Sequence, residues 1–262
     1  RATRYTAYHD TADAYLHVLE TTTQTTLASE AVTLAEQALE IARIRRDRGA
    51  ATDLDVRDAE NELAAARTNL NAATQNATLA SNALTSLLQQ PTSNLTPIPN
   101  ELLNLPTPNR DDLTARLEEN PNLLRAVHAL ERARTARDLL DPSYAAQRDI
   151  DTADLAITQA QTALDETRRN LTLTLQTLLD TVDRTRDNLT VANQALDNAN
   201  EREDIDASRL AAQLITEYAY DVTRFTTMQA EFDAQRARHD VLRALFDLQR
   251  TTSIAVEGLQ DF

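Results

Sequence analysis

Apolar residues return every seven positions along this chain, and that recurrence is its strongest signal. Between Val56 and Leu87 one row runs Val56, Leu63, Leu70, Ala77, Leu84, and a second runs Ala59, Ala66, Ala73, Ala80, Leu87. Two such rows on one helix make a coiled-coil seam, and a row of alanines lets helix axes approach closely. Upstream, Leu27, Leu34 and Ile41 alternate with Ala31 and Ala38. A third run goes Ile150, Ile157, Leu164, Leu171, Leu178 and resumes at Val182, Leu189, Leu196. The step of four between Leu178 and Val182 is a stutter, which locally unwinds a supercoil. A fourth run pairs Ala230, Ala237 and Ala244 with Ala234, Val241 and Leu248.

Breaks separate these runs. Gly49 is followed by Thr52-Asp53, a good cap for a helix starting near Leu54, and Asp53, Asp55 and Asp58 crowd that helix's first turns, where the macrodipole favours carboxylates. Pro91, Pro97, Pro99, Pro106 and Pro108 forbid a continuous helix in their segment. Asn120-Pro121 restarts one, with proline at its first position. The predicted elements are a helix over 1–48, a tight turn at 49–53, a helix over 54–89 and a Pro-rich linker over 91–109. A short helix over 110–119, a helix over 121–140 and a long helix near 145–213 follow. A turn near 214–221, with no glycine to fix it, precedes a last helix from about 222 to 256. The organisation expected is a first helical hairpin (1–90), the linker, and a second hairpin (110–262). The fold class is all-α, built of long antiparallel coiled-coil hairpins; at ~1.5 Å per residue the longest helix would run on the order of 100 Å.

Composition agrees with thin helix seams better than with a thick interior. The 262 residues include 4 Phe, no Trp and 2 Gly, while Ala, Leu and Thr abound. A net charge of -15 argues against nucleic acid and against adsorption to anionic lipid, which both need a basic footprint. All basic residues are Arg, and Cys is absent, so there is no disulfide framework, thiolate metal site or Cys nucleophile. No stretch approaches the roughly 20 apolar residues of a spanning helix. The chain starts inside a helical pattern with no signal peptide, so a leader or upstream segment is expected to have been removed. His9, His17, His128 and His239 form no H-E-x-x-H, and Asp13 with His17 on one helix face is two ligands, not a zinc site. No enzyme, metal or cofactor is predicted.

The stretch from Ala42 to Glu60, with Gly49-Ala50-Ala51-Thr52-Asp53-Leu54-Asp55-Val56 at its centre, resembles the turn signature of the outer-membrane efflux protein (TolC-like) family. Leu63-Ala64-Ala65-Ala66-Arg67, Leu84-Thr85-Ser86-Leu87-Leu88, Glu119-Asn120-Pro121-Asn122-Leu123 and Ala237 to Leu245 follow in the family's order, so the similarity covers most of the chain. The resemblance implies two repeats, each a descending helix, a tip turn and a returning helix. It also implies a homotrimer enclosing an α-helical tunnel whose tips dock onto periplasmic adaptor proteins of tripartite pumps or type I secretion systems. The expected place is the bacterial cell envelope, periplasmic or associated with the outer membrane. The second tip corresponds to Ile215-Thr216-Glu217-Tyr218 through Asp221-Val222, about 165 positions after the first, as an internal duplication requires.

Two departures stand out. The strand pair expected between the helices ending near Leu140 and starting near Ile150 is missing, because Asp141 to Gln147 is too short for a tilted spanning strand of ~9–11 residues. The first repeat lacks its leading helix and strands. The barrel is therefore either never present or removed from this chain, and with no strands membrane contact is an open matter, as is conduction. By resemblance, Asp55 and Asp58 are tunnel-gate candidates; the plainer account is that they complement a helix dipole. At the second turn Asp221 takes the comparable place, with Arg224 where a second acid would stand, so these two are tunnel-gate candidates as well, as a mixed Arg/Asp constriction held by ion pairs. Gly49, Ala50, Ala51, Thr52, Ile215 and Thr216 are candidates for adaptor docking, or else ordinary solvated turn residues. Tyr218, Tyr220, Phe225, Met228 and Phe232 are expected to pack a helix seam. The alternative function is a barrel-less structural spacer or coiled-coil interaction protein of the envelope.

Overall fold

The computed structural model describes residues 2–90, 109–141 and 143–254; the expected Pro-rich linker, Asn109 apart, lies outside the described residues. Among the described residues six α-helices follow one another: α1 Ala2–Asp47, α2 Asp53–Leu88, α3 Arg110–Arg116, α4 Pro121–Asp138, α5 Gln147–Ala211 and α6 Glu217–Thr252. A 3-10 turn, Leu117–Glu119, links α3 to α4, and no strand occurs among the described residues. The family-like all-α hairpin architecture is present. α5, at 65 residues, spans about 100 Å at the standard rise.

Local chemistry sets the helix ends. Asn109 and Asn120 cap α3 and α4 by accepting backbone amides, and Pro121 sits in the first turn of α4, where no amide partner is needed. α2 stops at Gln89, which takes the left-handed conformation. The last helix begins at Glu217, not near 222: Thr216 caps it by accepting the Ala219 amide at 3.2 Å, so Tyr218 and Tyr220 are helical. The abundant threonines rarely leave a hydroxyl wanting, since they bond back to carbonyls four residues earlier, as in Thr74 to Leu70 at 2.8 Å and Thr181 to Thr177 at 2.9 Å.

The chain forms two compact units. One comprises Arg1–His9, Pro99–Arg184 and Ala244–Phe262. Its core joins Leu123, Leu130 and Leu164, with Ala126, Val127, Ile157, Ala160 and Leu171 packed around them. The end of α6 is buried almost all round, through Ala244, Leu245, Phe246, Leu248, Gln249 and Thr252, as befits a helix with neighbours on every side. Buried Asn120 fastens it by donating to the Thr252 carbonyl at 2.8 Å. On α5, Ile150, Leu164, Leu175 and Val182 are buried while Leu178 is only half-buried. The four-residue stutter therefore falls between Leu171 and Leu175, one heptad earlier than the row of leucines suggests. The α4–α5 connection, 139–146, is held by Asp141, whose carboxylate accepts the Ser143 amide at 2.8 Å.

The other unit comprises Asp10–Ile98 and Thr185–Arg243. Leu39 of α1 meets Val56, Ala59 and Leu63 of α2, flanked by Val32, Ala35 and Ala42; further along, Val18 meets Ala80 and Leu84. The α2 rows predicted from sequence supply this seam as far as Leu84, whereas Leu87, the expected last member, is exposed. On α1, however, the row against α2 is Val32, Ala35, Leu39, Ala42, and the predicted Leu27, Leu34, Ile41 row is half-buried. Leu34 faces α6 instead, lining a small cavity with Asp221, Phe225 and Met228. α1 therefore serves two neighbours with two stripes.

Candidate functional site

The two hairpin turns are built alike. α1 ends with Arg45 and Arg46, cations suited to the negative end of its dipole. Gly49 donates to the Arg46 carbonyl and Ala50 to that of Arg45, both at 2.8 Å, which is a Schellman closure with Gly49 at φ 73. A Cβ at Gly49 would meet nothing within 4 Å, so glycine serves the backbone angle, not a crowded site. Thr52 and Asp55 then form a capping box: the Thr52 amide and hydroxyl donate to Asp55 at 2.6 and 2.8 Å, and the Asp55 amide donates to the Thr52 hydroxyl at 3.3 Å. These bonds, the backbone one foremost, hold the Asp55 carboxyl below its ordinary range. Asp58 is exposed one turn on.

At the second turn Gln213 donates to the Leu210 carbonyl and Leu214 to that of Arg209, both at 2.9 Å, repeating the closure with Gln213 at φ 58. Gly49 and Gln213 are 164 positions apart, as are Arg45 and Arg209, and the caps Thr52 and Thr216. That register places Ala219 and Val222 at the positions of Asp55 and Asp58, whereas Asp221 corresponds to Arg57. Asp221 and Arg224 belong to a different contact. Asp221 accepts Gln37 at 3.0 Å, while Arg224 lies 3.7 Å from Glu30 and 4.0 Å from Asp221. Both thus bind α6 to α1, and no hydrogen bond or ion pair joins them to Asp55 or Asp58 among the described residues. Of the aromatic concentration, Tyr220 bonds Glu203 at 3.3 Å, and Phe225 lines the α1–α6 cavity beside Met228. Among the tip candidates, Ala51 and Ile215 are half-buried, and Gly49, Ala50, Thr52 and Thr216 are exposed.

One polar cluster has no local sequence signal. Buried His239 contacts Glu20 at 2.9 Å through Nδ1, and Arg243 reaches Glu20 at 2.9 and 3.1 Å, Asp13 at 2.8 Å and Asp240 at 3.1 Å. Burial alone would raise the Glu20 carboxyl, but hydrogen bonds from His239 and Arg243, with their charges, leave it below its ordinary value. Arg243 is likewise raised: these carboxylates outweigh the burial that opposes its charge. Asp13 thus serves an arginine 230 positions away, not a site with His17. The cluster fastens α1 to α6. Among the described residues no three His, Cys, Asp or Glu side chains gather as a metal site, and no helix is long and apolar enough to cross a membrane.

The family model described as outer membrane efflux protein matches residues 1–89. A comparison with curated proteins gives no match. Solved structures do match. A membrane protein from Pseudomonas aeruginosa is 19% identical, with 96% of this chain and 69% of that one covered and a TM-score of 0.67. CusC, solved in conformations accompanying folding and transmembrane channel formation, is 13% identical, covering 92% of this chain and 75% of its own, with a TM-score of 0.70. The outer membrane protein VceC from Vibrio cholerae is 14% identical, covering 98% and 72%, with a TM-score of 0.59. In sequence over residues 1–89 and in fold over nearly its whole length, this chain resembles the outer membrane efflux proteins.

Proposed function

We propose that the chain is a protomer of a homotrimeric α-helical duct in the bacterial cell envelope, a transport component of an efflux or secretion assembly and not an enzyme. The observation that carries this reading is a set of large apolar side chains left in water on helix faces. Leu79 of α2 and Val191 of α5 are 66% and 64% exposed. Leu155 and Leu173, also exposed, stand 18 positions apart, five turns at 3.6 residues each and so on one face; Val191 and exposed Ile205 are two heptads apart. Rows of this kind ask for cover, and further copies of the same chain are the neighbours that a duct supplies. The hairpin turns are then the docking ends for a periplasmic adaptor, through Gly49, Ala50, Ala51, Thr52, Ile215 and Thr216. Asp55 and Asp58 act as gate carboxylates, and Asp221 with Arg224 as a latch onto α1.

Mass measurement with a low-resolution solution envelope tests the assembly. A persistent hollow trimer is expected, and a monomer or compact dimer overturns it. For the gate, Asp58→Asn is the cleaner variant, because Asp55 also closes the capping box. Alone or with Asp55→Asn it should raise ion leakage through the reconstituted tunnel and weaken block by multivalent cations; unchanged leakage and block reduce both residues to helix caps. A second reading, a barrel-less spacer of the envelope, is favoured by the short α4–α5 connection, which holds no strand among its described residues. The same mass measurement separates the two.

A further inference from the structure

Gln37 of α1 holds an acceptor that its protein neighbours leave unanswered. Its side-chain nitrogen donates to an Asp221 oxygen of α6 at 3.0 Å. A carboxylate only accepts, so this bond fixes the amide: exchanging its oxygen and nitrogen would set two acceptors against each other. The amide oxygen must therefore be satisfied from elsewhere. It is buried, and no donor among the described residues reaches it. Buried acceptors in that condition are rare in folded proteins, because their desolvation is uncompensated.

The surroundings supply room and polarity together. Gln37 lines a cavity of about 30 Å³ with Glu30, Asp221, Arg224, Phe225 and Met228. One water needs about 10–15 Å³ of such space and two to four polar partners, so one or two waters fit. Arg224 stands 3.7 Å from Glu30 and 4.0 Å from Asp221. Both separations exceed a hydrogen bond, and a polar contact of that length is where a bridging water belongs. Elsewhere on the same two helices the pairing is direct, with Arg243 at 2.8 Å from Asp13 and 2.9 Å from Glu20. Cavities that stay dry are walled by hydrocarbon, whereas four of these side chains are polar or charged.

We propose that this cavity is a water-binding site, in which one or two ordered waters donate to the Gln37 amide oxygen and join Arg224 to its two acids. The α1–α6 contact is then water-mediated at Gln37 and direct at Glu20. Glu30 and Arg224 are partly exposed, so the bound water exchanges with solvent while its place is kept. The site belongs to the fold of one chain and does not rest on the duct reading.

A crystal structure of the full chain, refined finely enough to place solvent, tests occupancy. A density peak about 2.6–3.2 Å from the Gln37 amide oxygen and from at least one of Glu30, Asp221 and Arg224 is expected. A cavity without density overturns the proposal, as does one closed by direct contact of Arg224 with either acid. A peak ringed by several oxygens at about 2.3–2.6 Å marks a cation and overturns it too. Gln37→Met is the test in solution, since methionine is unbranched like glutamine but lacks its polar end. With water on the amide oxygen, the substitution removes two hydrogen bonds, and the unfolding equilibrium constant from urea titration should rise about five- to tenfold. With an orphaned oxygen, its removal offsets the lost bond to Asp221, and the constant stays within about twofold or falls. That second result overturns the proposal even where density fills the cavity.

Discussion

Replacing Arg243 by leucine keeps most of its stem packing and removes one charge from a cluster that holds three carboxylates. The links to Asp13 and Asp240, each about half exposed, are each worth roughly 0–1 kcal/mol as surface ion pairs. The link to Glu20 differs, because Glu20 is 13% and Arg243 25% exposed at the side chain. Breaking a fully buried pair costs about 3–5 kcal/mol, and solvent access here discounts that figure. A loss of about 2 kcal/mol is therefore expected for Arg243→Leu, with His239 still holding Glu20. Glu20→Gln should cost less, about 1 kcal/mol, since the amide can still accept a hydrogen bond. Urea unfolding followed by far-ultraviolet circular dichroism gives both values, and the double variant completes a cycle. The expected coupling is about 1 kcal/mol or more, and a coupling under roughly 0.3 kcal/mol would refute the reasoning. Acid supplies a second reading. Glu20 is held below its ordinary carboxyl value, so its contribution is fully present above the ordinary carboxylate range and is lost as pH falls through the folded value. The stability gap between the parent and Glu20→Gln should be flat near neutrality and shrink below about pH 4.

Gly49→Ala should cost about 1 kcal/mol, because φ 73 is strained for alanine although its Cβ has open space; Gln213→Gly should be neutral to slightly stabilising, and thermal unfolding of the two variants reads the contrast. Asn120→Leu removes both the α4 cap and the bond to the Thr252 carbonyl, and about 2 kcal/mol should be lost in the same urea assay. Asn120→Asp keeps the cap acceptor but not the donor, so it should fall between the parent and leucine.

What could be read from the sequence was what repeats locally. The α2 seam was legible because one helix face meets one partner, and Val56, Ala59, Leu63, Ala73, Ala80 and Leu84 are indeed its buried residues. α1 defeated the same template: it has two partners, and a single heptad phase selects one of them. The α5 stutter was read one heptad late because Leu171, Leu175, Leu178 and Leu179 satisfy either phase, and only packing chooses Leu175. The second turn was blurred by the lack of glycine, since Gln213 adopts a left-handed angle that its identity does not announce. The Glu20–His239–Arg243 cluster was invisible for a different reason. Glu20 lies more than 200 positions from both His239 and Arg243, and no spacing rule spans two helices that meet only in the folded chain.

The order of segments within the units has a consequence for biogenesis. The unit that begins with residues 10–98 is completed by 185–243, with most of the other unit's sequence emerging in between. At a synthesis rate of about 5–20 residues per second, the Leu34 side of α1 must wait roughly 10–40 s for α6. α1 and α2 can zip together early by adjacent contacts, but the second stripe stays uncovered throughout that interval. A nascent chain of this design is accordingly one that a holding chaperone should recognise by α1, and its dwell there should end when Arg243 arrives to meet Glu20.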